Sequence, residues 1–131
     1  MRTAAACLTS LAVFVCAGLA GASAHHSYVT KYDPAKTITI KGRITSVSFY
    51  NPHIFFSMMV KNRHGGGESE WRIETESVQM VRARGLTEAK LKIGSTVMVS
   101  GWRARSGGAA VGLSRIKPAG GPWIVIRSRP R

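Results

Sequence analysis

His25-His26-Ser27-Tyr28 follows Ala22-Ser23-Ala24, a small-x-small triplet of the kind cut when a leader is removed. Cleavage after Ala24 makes His25 the first residue. Its α-amine and imidazole can then chelate one metal together, and a further imidazole completes a three-nitrogen set, a histidine brace, that suits Cu(II). An α-amine titrates near ~8 and a free imidazole near ~6.5, so both can bind at neutral pH. His53, in the Asn51-Pro52-His53 turn, is the candidate third nitrogen, with His26 as the alternative; His64 falls in a glycine-rich hairpin and is expected in solvent. The competing reading is structural: a histidine after Asn-Pro caps its turn by a hydrogen bond, and terminal histidines sit idle. Cys7 and Cys16 both precede the cut, so the mature chain has no thiolate, and a sulfur-rich zinc site is excluded. The hydrophobic core must hold the fold without a disulfide.

A second set combines aromatic and basic side chains: Phe55, Met59, Arg72, Trp102, Arg103 and Arg105. Stacking rings with arginines that pair with anions form a ligand surface. The alternative is that Trp71 and Trp102 are core or rim packing, which is preferred for Trp71. Enzymatic readings are weaker. His64-Gly65-Gly66-Gly67 is like an esterase oxyanion loop, but no Gly-x-Ser-x-Gly elbow accompanies it. The glycines also lack the Gly-Lys-Ser/Thr ending of a phosphate loop. Glu74 and Glu76 share parity, yet with Arg72 and Arg82 nearby they are expected to be ionised surface charges.

The elements that must position these residues begin after the leader. Residues 1–24 carry Arg2, then an apolar stretch from Leu8 to Leu19 too short to span a bilayer, which needs roughly 20 residues. A lipoprotein anchor at Cys16 is disfavoured by Val15 before it. Export to the periplasm or medium is therefore expected. Of the 131 residues, 107 remain, enough for one domain. Their 18 basic and 6 acidic residues give a net +12, because Arg2 is the only charged residue in the leader. Such a field attracts anions and also keeps a protein soluble. Export argues against nucleic acid as the partner and favours an anionic ligand or an acidic protein.

Residues 25–36 read as an irregular arm. Ile38, Ile40, Gly42 and Ile44 share one parity and Val47 and Phe49 the other, so a long first strand, 37–49, contains a bulge near Thr45-Ser46. Ile54, Phe56, Met58 and Val60 face inward on a second strand, and Trp71, Ile73 and Thr75 on a third, across a hairpin holding Gly65-Gly66-Gly67. Ser77 caps a two-turn helix that Gly85 ends. Strands at 96–103 and 109–117 follow, with an edge strand near 123–126. Strand, strand, strand, helix, strand, strand is the order of an OB-like Greek-key barrel. The predicted domain spans 37–126, followed by a basic tail, 127–131, that looks like an anion contact. An open sheet with one covering helix is the structural alternative.

His25-His26-Ser27-Tyr28, Tyr32-Asp33-Pro34, Thr39-Ile40-Lys41-Gly42, Asn51-Pro52-His53, Gly85-Leu86-Thr87 and the run from Leu91 to Gly101 together resemble a family of small exported bacterial proteins, domain of unknown function family 6152. The resemblance covers His25 to about Lys117. It implies export and an OB-like fold, and no activity. The chain departs from the family's usual pattern at Arg72-Ile73-Glu74, where a more apolar strand is expected, and in its arginine-rich tail. The resulting expectation is a non-enzymatic exported binding or adaptor module for an anionic ligand or partner. The alternative is a copper-binding or copper-handling protein using His25 with His53.

Overall fold

The computed structural model describes residues 28–127. A helical turn at residues 28–31 leads into β1 (Tyr32–Ser48), β2 (Phe55–Lys61) and β3 (Glu68–Glu74). Then come α1 (Val78–Ala83), a 3₁₀ turn (Glu88–Leu91), β4 (Thr96–Ala104), β5 (Ala110–Lys117) and the short β6 (Ile124–Val125). The strands lie in the order β3-β2-β1-β4-β5-β6, with antiparallel neighbours throughout. β3 also pairs with β5, in parallel, through Arg72–Ala110, Ile73–Val111 and Glu74–Gly112. That ladder closes the sheet on itself, so the fold is an OB-like barrel and not the open sheet.

Closure depends on a first strand long and bent enough to serve both halves. β1 pairs with β4 along its first part and with β2 along its second. Its register slips between Ile44 and Ser46, the bulge that the parity change predicts. Gly42 sits where the strands crowd: a Cβ there would overlap the Met59 carbonyl and the Met58 side chain. One boundary differs from expectation. β1 starts at Tyr32, not Thr37, because Tyr32 and Asp33 pair with Ala104 and Arg103 before a register break that lasts to Thr37. The arm is thus part of the sheet, and ahead of it residues 28–31 are helical.

The alternating residues meet inside. Ile44, Ile54, Phe56, Met58, Ile73, Val97, Val99, Val111, Leu113 and Ile116 form the core. Each such side chain contributes roughly 1.5–3 kcal/mol by leaving water. α1 covers one end of the barrel. Ser77 caps it by accepting from the Met80 N–H, Val81 points into the core, and Gly85 leaves it at φ 88°. Leu86 and Leu91 complete the plug. No helix among the described residues is long and apolar enough to cross a membrane.

Candidate functional site

A second, smaller core lies on the outside of the barrel. Trp102 lies on the face of β4 opposite the core residues Val97 and Val99, yet it is only 3% exposed. The expected exposed ligand residue is therefore corrected to a buried one, because the helical turn and Tyr32 fold over it. Tyr28 packs at 4.9 Å from the Tyr32 ring and edge-on at 5.7 Å from Trp102. Gly112 gives them room on β5: a Cβ at that position would overlap the Tyr28 phenol and the Tyr32 ring. Arg127 closes the cluster from the other side. Its guanidinium stands 3.4 Å from the Tyr28 ring centroid and pairs with Glu76. Arg127 is thus folded into the domain and is not the start of a loose anion-binding tail; residues 128–131 lie outside the described residues.

Glu74 is the centre of this arrangement. As the last residue of β3 it pairs with both Phe55 and Gly112, so it stands at the closing seam. The expectation of a surface charge is corrected: Glu74 is 2% exposed, because the arm covers the outward side of β3 and β5 there. A buried carboxylate without partners is costly. Glu74 has three. The Tyr32 hydroxyl donates at 2.8 Å, His53 Nδ1 lies at 2.7 Å, and Lys31 Nζ at 3.4 Å. Burial alone would raise its carboxyl pKa, but the Tyr32 and His53 hydrogen bonds and the Lys31 charge outweigh it and hold the group below its ordinary value. Tyr28 and Tyr32 shift the other way: burial, and for Tyr32 also its bond to Glu74, raises both phenols, so they remain protonated donors.

This fixes His53. The Asn51-Pro52 segment places it beside β3, where Asn51 Oδ1 accepts from the Val78 N–H at the start of α1. An ionised carboxylate only accepts, so His53 Nδ1 carries the shared hydrogen and Nε2 is the ring's other nitrogen. The His53 side chain is 22% exposed. An imidazole oriented through one nitrogen by a carboxylate is the arrangement that outer-shell partners give to metal-binding histidines. Among the described residues no group of three or more His, Cys, Asp or Glu stands together to hold a metal. His25 and His26 lie outside the described residues. His64 is exposed in the β2–β3 hairpin, as expected.

The predicted basic-aromatic set separates. Phe55, Met59 and Arg72 share the outer face of β2 and β3, with the Arg72 guanidinium 4.3 Å over the Phe55 ring. Phe55 and Arg72 line a hollow of about 440 Å³ with Ser46, Ser48, Ser57 and Glu70. Arg103 belongs elsewhere, 5.8 Å over Trp71 at the barrel's rim, where Trp71 packs half-buried against the core. Arg105 is an arm clamp: it donates to the Val29 carbonyl at 2.9 Å and pairs with Asp33 at 3.6 Å. Sequence reasoning missed Tyr28, Lys31, Tyr32 and Arg127 as members of one cluster. The four-residue spacing of Tyr28 and Tyr32, which stacks side chains across one helical turn, was the available signal.

Comparison with known proteins supports the architecture. The crystal structure of the mitochondrial single-stranded DNA binding protein Rim1 from S. cerevisiae, Form1, superposes with a TM-score of 0.50 at 15% identity, covering 66% of this chain and 98% of that one. Form2 of the same protein gives 0.49 at 20% identity, covering 63% and 92%. At 15% identity the Form1 likeness is one of fold. No curated protein matches the sequence. Residues 12–114 match the family described as "Family of unknown function (DUF6152)", and the chain belongs to that family.

Proposed function

We propose that the protein is a non-enzymatic, exported binding protein that takes Cu(II) at its processed N-terminus together with His53. The observation that carries this reading is that one buried glutamate organises both halves. Glu74 orients the His53 ring through Nδ1, and Tyr28, three residues after His25, donates to the Glu74 carbonyl at 3.4 Å. His25 is three residues along the chain from Tyr28, a separation of at most about 10 Å, and His53 is the only imidazole that a buried carboxylate holds among the described residues. The α-amine and imidazole of His25, with His53 Nε2, make the three-nitrogen set, and His26 is the alternative imidazole.

The test uses processed protein whose first residue is His25. Titration with Cu(II), followed by electron paramagnetic resonance, is expected to give one site with nitrogen hyperfine structure. One extra glycine before His25, or His53→Ala, should each remove that signal. Equal affinity in the glycine-extended protein would overturn the reading.

A second reading is favoured by the Arg72–Phe55 stack on the hollowed outer face of β2 and β3. There the net charge of +12 that remains after loss of the leader and Arg2 would draw an anionic ligand or an acidic protein partner. Arg72→Gln should then weaken capture of an acidic partner without changing Cu(II) binding.

A further inference from the structure

The two ends of the barrel are finished differently. α1 and Leu86 plug one. At the other, Ile38, Ile40, Val60 and Trp71 have inward positions and pack against the core, yet remain only partly buried. They floor a hollow of about 490 Å³, a size within the range of small-molecule sites. Its rim is cationic: Lys61, Arg63 and Arg103 line it, and no carboxylate does. A neighbouring hollow of about 260 Å³ shares Ile40, Val60, Lys61 and Arg63 and adds Lys41 and Met98. The trough therefore continues from the mouth over the edge of β1, with apolar side chains below and positive charge above. Lys41, Lys61 and Arg63 have no carboxylate partner among the described residues.

We propose that this mouth binds a small amphipathic anion: an unbranched apolar chain carrying one carboxylate. Burial of a chain against Ile38, Ile40 and Val60 removes apolar surface from water on both sides. The carboxylate is then met by Arg63 and Arg103, whose forked guanidinium groups suit it better than a neutral headgroup. Arg103 lies over Trp71, which confines its head to the rim. The site is separate from Glu74 and His53, so it stands or falls independently of copper.

The probe is decanoate, kept below its micelle concentration and titrated into the processed protein by calorimetry, with decanol and hexanoate as comparison ligands. One saturable site is expected, with decanoate binding about tenfold more tightly than either comparison ligand. Arg63→Gln with Arg103→Gln, both exposed, should weaken decanoate about tenfold and leave decanol unchanged. Ile40→Ser should weaken both ten-carbon ligands. No saturable decanoate binding, including the case in which the chain's own residues already fill the mouth, would overturn the proposal. Equal affinity for decanoate and decanol, or binding untouched by the paired arginine variant while its near-ultraviolet dichroism stays native, would do the same.

Discussion

The inside of this barrel and the patch under its N-terminal arm are both buried, but they are built from different materials. The inside is mostly aliphatic, with Phe49 and Phe56 among the aliphatic side chains that alternation along the strands supplies. The outer patch is two tyrosines, a tryptophan, an arginine and a glutamate; the Glu74 carboxylate is matched by its donors and Arg127 pairs with Glu76, while Arg127 Nε is buried without a hydrogen-bond partner among the described residues. The first can lose one contact and still exclude water. The second holds a charge away from solvent, so it depends on every donor around Glu74. What the contrast teaches is that burial alone does not mark a core: the outer patch spends its burial on orienting one histidine.

Removing a large inner side chain should have the largest effect on stability. Phe56→Ala is expected to cost about 4 kcal/mol in urea unfolding, through lost burial and the cavity left behind, while any bound Cu(II) keeps its spectrum in the fraction still folded. Glu74→Ala comes next, at about 3 kcal/mol, because Tyr32, Lys31 and His53 lose a shared acceptor in a buried place. The pH dependence sharpens the comparison. Glu74 has a folded pKa lowered from 4.5, so its contribution is present above that value and is lost as pH falls through the lower folded one. The stability gap between wild type and Glu74→Gln should therefore close from about pH 4.5 downward, whereas the gap for Phe56→Ala should not follow this titration. Arg127→Ala should cost about 1–2 kcal/mol by freeing Glu76 and uncovering Tyr28. Arg105→Ala, an exposed clamp on Asp33 and the Val29 carbonyl, should cost under about 1 kcal/mol. If it cost as much as Glu74→Ala, the arm and not the carboxylate would be what holds the patch together.

The inner core was legible because period-two alternation is a local signal: Ile54, Phe56 and Met58, the bulge after Ile44, and the Ser77 and Gly85 helix ends all read directly. The outer patch was not, because its burial is imposed from far along the chain. Trp102 has the parity of a surface residue, and what covers it comes from far along the chain, Tyr28 of the arm on one side and Arg127 beyond β6 on the other. Glu74 reads as one more charge in Arg72-Ile73-Glu74, since nothing local says that β5 and Tyr32 will enclose it. His53 was legible as a candidate from the Asn51-Pro52-His53 turn, but its partner was not. The separation of Phe55 and Arg72 from Arg103 and Arg105 follows from barrel curvature, which places neighbouring strand ends on different faces.

The most direct measurement is the Cu(II) affinity of processed wild-type protein against Glu74→Gln, with Glu88→Gln as a surface control and near-ultraviolet dichroism to confirm the fold. If the buried carboxylate orients His53 for the metal, Glu74→Gln should weaken Cu(II) by roughly tenfold to a hundredfold and alter the nitrogen hyperfine pattern, while Glu88→Gln leaves both unchanged. An unchanged affinity and spectrum in folded Glu74→Gln protein would contradict it.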